Sequence, residues 1–203
     1  PTAGMTGADW SLPEPTADSY ADSMITDAQE FSDEALLVLG RPGGEGNDLP
    51  HDMSAVKTLK PGEKMEMSPM GPIGANYQNN SKDYNDFEKG KGYLDLSQTE
   101  ENLVKLVTSK FNKVTVVYNG ANTLNLGFVD EYPQIQSVLW TPPAGQTGFN
   151  SLGKVLSGSV NPSGKTTDTF LKDFSKAPWF NNIGAFSYTN TDDLAVESLG
   201  GEV

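Results

Sequence analysis

The run Ala35-Leu36-Leu37-Val38-Leu39 restricts the fold of this 203-residue chain more than any other feature. Five successive apolar residues, closed by Gly40, leave no polar face, whereas a half-buried antiparallel strand alternates apolar and polar positions. Such a run predicts a strand buried on both faces, as in a parallel sheet. Parallel strands are joined only by crossovers, so helical patterns must lie between the strands, and they do. Over 18–32, Tyr20, Met24, Ile25, Ala28 and Phe31 share one helical face, with Asp18 or Ser19 placed to cap it. Ser97-Gln98-Thr99-Glu100 is an S-x-x-E capping box, followed by Leu103, Leu106, Val107 and Phe111 at helical spacing. Val114 to Tyr118 is a β-branched strand stopped by Asn119-Gly120, a short helix covers Leu126 to Tyr132, and Ile135 to Trp140 is a third strand ended by Pro142-Pro143. Phe149, Leu152, Val155 and Leu156 form a last helical face, broken by Gly158 and Pro162. This order predicts an α/β fold: a three-layer α/β/α sandwich with a mostly parallel, doubly wound, flavodoxin-like sheet and right-handed crossovers.

The expected organisation is an irregular leading segment at 1–17, one domain at 18–180 and an irregular tail at 181–203. Between about 41 and 95 the pattern dissolves. Eleven glycines and prolines, from Pro42 to Gly74, punctuate the first part of this stretch, and no apolar period survives. A stretch this long inside a compact domain reads as a functional loop. It leaves the carboxyl end of a predicted parallel strand, which is where open α/β sheets place their ligands.

Composition removes several function classes. Lys+Arg 14 against Asp+Glu 27 gives a net charge of −13, so the basic footprint that nucleic acid requires is missing. No apolar run approaches the ~20 residues that span a bilayer, and no secretory signal pattern opens the chain, which therefore reads as cytoplasmic. With no cysteine and one histidine, thiol chemistry and most zinc sites are excluded, and no metal or organic cofactor is expected. Carboxylate, hydroxyl, amide and backbone chemistry remain.

Two phosphate-loop lookalikes fail. Ser163-Gly164-Lys165-Thr166 has Ser159 where a Walker loop has its first glycine, and Gly44-Glu45-Gly46 has Leu49 where a dinucleotide fingerprint has its third. Asp83, Asp86 and Glu88 lack calcium-loop spacing and are flanked by Lys82 and Lys89, so they read as a solvated acidic stretch. The segment Gly43-Gly44-Glu45-Gly46-Asn47-Asp48 has a different use. Glycines on both sides of Glu45 let the backbone turn without side-chain bulk, which projects the carboxylate beyond the sheet edge. Such a group is either a solvated turn acid or a general acid/base.

A resemblance bears on that choice. Leu37 to Pro50, with Arg41-Pro42-Gly43-Gly44-Glu45-Gly46-Asn47-Asp48 at its centre, resembles the acid/base loop of glycoside hydrolase family 3. Tyr93-Leu94-Asp95-Leu96-Ser97, Val114 to Asn119, Val138 to Gly148 and Val155 to Lys165 are similar to the family's following blocks, in order. The resemblance covers about 18–175 and implies the α/β-sandwich domain of a retaining, exo-acting, β-glucosidase-like enzyme. It implies that Glu45 is the general acid/base, that the nucleophile comes from a (β/α)-barrel domain absent from these residues, and that the substrate is a β-glycoside. Asp48, Arg41 and His51 are the expected substrate-binding residues. Alone, the chain is expected to be inactive. Ala144 and Thr147 stand where the family's P-G-Q-E segment has proline and glutamate. This departure supports the alternative, a non-catalytic carbohydrate- or protein-binding module on the same fold.

Overall fold

The computed structural model describes residues 14–41, 50–56, 58–60, 67–68, 71–72, 77–79, 81–177 and 180. Three strands form the main sheet: β1 (Glu34–Arg41), β2 (Lys113–Gly120) and β3 (Ile135–Trp140), in that order and all parallel. β1 and β2 pair without interruption from Glu34 opposite Lys113 to Arg41 opposite Gly120. β2 and β3 pair from Val114 opposite Ile135 to Tyr118 opposite Trp140, with one register shift between Val114 and Thr115. The fold is the expected α/β sandwich, built on a small open parallel sheet.

Two helices flank β1 in sequence. α1 (Asp22–Phe31) precedes it, and α2 (Gln98–Lys110) follows the long loop and forms the crossover to β2. The capping box is complete: the Ser97 hydroxyl accepts from the Glu100 amide at 3.2 Å, and the Glu100 carboxylate accepts from the Ser97 amide at 2.8 Å. Two of the orphan amides at the helix start are thereby satisfied. Leu103 and Val104 turn inward onto Leu37 and Leu39 of β1 and Val114, Val116 and Tyr118 of β2, and Leu96, Leu124 and Ile135 complete the core. Each such side chain contributes about 1.5–3 kcal/mol on burial. The short helix expected over 126–132 is a five-residue 3-10 helix, Gly127–Glu131. A 3-10 turn, Gly148–Ser151, runs into α3 (Leu152–Leu156), and neither buries a residue.

The structure corrects two expectations about the first elements. β1 is buried on one face only: Leu37, Leu39 and Arg41 point inward, while Leu36 and Val38 are 57% and 55% exposed. The apolar face of α1 is not packed either. Phe31 is 91% exposed and no residue of the helix is buried, so the helix does not cover β1. Neither Asp18 nor Ser19 caps it; both lie in a 3-10 turn, Ala17–Ser19, and the N-cap is Ala21. Among the described residues nothing packs on Leu36 and Val38, which is why a run that reads as doubly buried shows an alternating pattern.

Within the long loop the described residues form a short 3-10 helix, Met53–Ala55, and two-residue ladders, Thr58–Leu59 parallel to Tyr77–Gln78 and Met67–Ser68 antiparallel to Gly71–Pro72. The loop's last part is anchored more firmly. Asn79 accepts from the Ser81 amide at 2.9 Å and donates to the Tyr84 carbonyl at 2.9 Å. Asp86, expected in a solvated stretch, is instead buried and accepts a hydrogen bond from the Thr99 hydroxyl. A hydroxyl on the first turn of α2 draws this carboxyl inside, and local charge pattern carries no sign of that.

Candidate functional site

Glu45 and Asp48 lie outside the described residues. Arg41 and His51, on either side of them in sequence, are described, and the structure places them in very different surroundings.

Arg41 is the last residue of β1, and its side chain turns inward rather than toward the sheet edge. Only 4% of the residue is exposed, as is 4% of Glu100, the third residue of α2. The guanidinium grips the Glu100 carboxylate with two parallel hydrogen bonds, Nε to Oε1 at 2.8 Å and Nη2 to Oε2. This bidentate geometry is the strong form of the arginine–carboxylate contact. Nη1 also donates to the Tyr93 carbonyl, and Nη2 to the Asp95 carbonyl at 2.7 Å. The rings of Tyr93 and Phe87 lie 5.2 and 5.7 Å from the guanidinium carbon, within cation–π range. Arg41 was expected among substrate-binding residues; the structure engages its donors inside the protein.

The segment that receives Arg41 is itself tied down. The Asp95 carboxylate accepts from the Gly92 amide and from the Asn125 side chain, each at 2.7 Å. Asn125 in turn donates its amide to the Leu94 carbonyl at 2.8 Å and accepts from the Phe174 amide at 3.0 Å. A further anchor lies at the ends of β2 and β3, where Trp140 Nε1 donates to the Gly120 carbonyl at 2.8 Å. Gly120 is needed here, because a Cβ on it would lie 2.3 Å from the Tyr118 hydroxyl.

Electrostatics around Arg41 are those of a desolvated region. Burial pushes the Tyr118 phenol up to about 12 and raises that of Tyr93, and in both cases the nearby Arg41 charge opposes the shift. Both phenols stay neutral across the physiological range. Burial also raises the Asp86 carboxyl, partly offset by its hydrogen bond from Thr99.

His51 lines a cavity of about 600 Å³ between the Gly90–Leu96 segment, the first turns of α2 and the 3-10 helix. Its ring stacks on Phe180 with centroids 4.5 Å apart and planes 17° from parallel. His51 Nε2 is buried and meets no hydrogen-bond partner among the described residues. Tyr93, Phe128 and Tyr132 supply aromatic edges to the same cavity, and Glu101, Lys105 and Glu131 supply charge. Among the described residues no group of three or more His, Asp or Glu is placed to hold a metal ion, and no helix is long and apolar enough to cross a membrane.

Sequence reasoning missed one member of this region. Glu100 is recognisable as the capping-box acid, but nothing within a few residues of it points to Arg41, 59 positions earlier. Thr147, in the segment that departs from the family pattern, precedes the 3-10 turn and accepts the Asn150 amide through its carbonyl at 3.0 Å.

A β-glucosidase of Ruminococcus albus is 27% identical over 180 residues, 89% of this chain and 15% of that protein. Beta-glucosidase A of Butyrivibrio fibrisolvens is 29% identical over 163 residues, 79% of this chain and 18% of that protein. The chain thus spans less than a fifth of the length of these relatives. The solved structure of a β-glucosidase from Paenibacillus barengoltzii shares the fold, with a TM-score of 0.59 at 22% identity over 87% of this chain and 15% of that one. The family described as the glycosyl hydrolase family 3 C-terminal domain matches residues 17–195, and this chain belongs to that family.

Proposed function

We propose that this domain supplies the general acid/base, Glu45, to a retaining β-glucosidase-like active site shared with a (β/α)-barrel domain outside these residues. The observation that carries the reading is positional. Arg41 ends β1 at the carboxyl edge of a parallel sheet, and Glu45 follows it by four positions in the sequence of a chain that belongs to the glycosyl hydrolase family 3 C-terminal domain family. A retaining mechanism needs two carboxyl groups about 5–5.5 Å apart, one to attack the anomeric carbon and one to protonate the leaving oxygen. In this reading Glu45 protonates the glycosidic oxygen as the bond to the anomeric carbon breaks. It then takes a proton from the water that attacks the glycosyl-enzyme. Asp48 and His51 bind sugar hydroxyls; the buried, unpartnered His51 Nε2 at a cavity wall supports that role for His51.

The test is a paired assay on an aryl β-glucoside, with this chain alone and with the polypeptide that joins it to a barrel. Turnover is expected only in the longer protein. There Glu45→Gln is expected to lower kcat/KM for glucosides with poor leaving groups by about 10²–10⁴-fold, the contribution of a positioned acid. Turnover by the 203 residues alone would overturn the shared site, and full activity of Glu45→Gln would overturn the assignment of the acid. A second reading, a binding module without catalysis, is favoured by Thr147 in place of glutamate. It predicts no turnover in either protein and retention on immobilised carbohydrate.

A further inference from the structure

The long loop begins immediately after Arg41 and returns at Tyr93 to Ser97. A single side chain holds both places. The Arg41 backbone is the last rung of the β1–β2 ladder, opposite Gly120. Its guanidinium holds two carbonyls of the returning segment, those of Tyr93 and Asp95, and the first turn of α2 through Glu100. The Glu100 carboxylate is shared: Oε2 accepts from both Arg41 and the Ser97 amide. Strand end, returning segment and helix start therefore meet at one buried ion pair, with side chains 2% and 5% exposed.

We infer that Arg41 and Glu100 are positioning residues for the acid/base step, fixing the strand end four residues before Glu45. This rests on the reading of Glu45 given above. Neither residue touches substrate in this assignment. A buried guanidinium fixed by a fork of hydrogen bonds and two aromatic rings has little freedom to shift, so the strand end that leads into the loop is held in place. Proton transfer to a leaving oxygen is sensitive to small misplacements of the acid. A lysine at 41 keeps the charge but not the fork, and glutamine at 100 keeps the shape but not the charge.

The discriminating readout is the dependence on leaving group. A dinitrophenyl glucoside departs without protonation, whereas a phenyl glucoside needs the acid. In the polypeptide that carries both domains, Arg41→Lys and Glu100→Gln are expected to lower kcat/KM about 30-fold or more for the phenyl glucoside and less than about threefold for the dinitrophenyl one. On the dinitrophenyl substrate kcat is expected to fall, because the second step needs the same group as base, and azide is expected to restore it. A uniform loss across leaving groups would overturn the inference, since a purely structural role reduces active enzyme equally for all substrates. Where a single variant does not fold, the double variant Arg41→Met/Glu100→Leu removes both charges together and decides in the same way. Glu45→Gln is run alongside. If Glu45→Gln is leaving-group dependent and the pair variants are not, only the positioning role fails. If Glu45→Gln itself shows no such dependence, the acid/base reading fails.

Discussion

Breaking the Arg41–Glu100 pair from one side should cost far more than removing it whole. Arg41→Met leaves the Glu100 carboxylate in a buried site with the Ser97 amide as its remaining named donor. It also takes a donor from each of the Tyr93 and Asp95 carbonyls. Removing one partner of a buried pair typically costs about 3–5 kcal/mol, and the two carbonyls lie within that figure because the peptide can relax toward water. Glu100→Leu leaves a buried cation and opens the capping box, which adds about 1 kcal/mol. Added independently, the two changes would amount to about 9 kcal/mol, enough to unfold most domains. The double variant leaves no buried charge, and apolar replacement of a buried pair is often close to neutral. Its expected cost is about 2 kcal/mol, mainly the capping box and the two carbonyls. The assay is urea unfolding of the 203-residue chain by far-UV circular dichroism and tryptophan fluorescence. At a slope of about 2 kcal/mol/M, Arg41→Met moves the midpoint down by about 2 M and the double variant by about 1 M. Additive single variants, or an Arg41→Met cost below about 1 kcal/mol, would refute the reasoning, since either result means that the pair is solvated.

Two further predictions follow from burial. Leu39→Ala, on the core face of β1, is expected to cost about 2–5 kcal/mol, whereas Leu36→Ala on the open face costs less than about 0.5 kcal/mol; chemical denaturation of both tests which face is packed. Burial raises the Asp86 carboxyl above its ordinary value of 3.8, so the folded state holds that proton more tightly than the unfolded chain does. This contribution is fully present below the unfolded value and is lost as pH rises through the folded one. The stability of the parent chain relative to Asp86→Asn should therefore fall as pH rises from 3 toward 7, and a difference that grows with pH would contradict the desolvated setting.

What was legible in the sequence was local. The Ser97–Glu100 box is written in four adjacent letters, and both of its hydrogen bonds form. The third strand has the limits its β-branched pattern predicts, Ile135–Trp140, and the second extends two residues past its predicted end, through Asn119 and Gly120. What was not legible depends on distant partners. Apolar letters at Leu36, Val38 and Phe31 show a capacity for burial, and burial also requires a neighbouring element. Asp86 reads as solvated beside Lys82 and Lys89 because its partner, Thr99, lies 13 residues away. Arg41, next to a glycine-rich loop, has the look of a ligand-binding arginine. Only the fold brings a carboxylate 59 residues away into its reach. The same lack of local signal explains why the ion pair that fixes the end of β1 was not recognisable.

The clamp at Arg41 has a consequence for how such a domain can diversify. Because the two ends of the loop are joined by the scaffold, a change in its length acts on stability mainly through closure entropy, provided that buried loop residues such as Asp86 and Phe87 keep their contacts with Thr99 and Arg41. Doubling that length costs only about 0.6 kcal/mol in closure entropy, a small fraction of what one core leucine supplies. Insertions and deletions that spare the buried residues of the loop, among them Met53, Leu59, Asn79, Asp86 and Phe87, thus leave the sheet, α2 and their shared ion pair intact. Selection on the length of the loop and selection on the scaffold that closes it are then largely uncoupled.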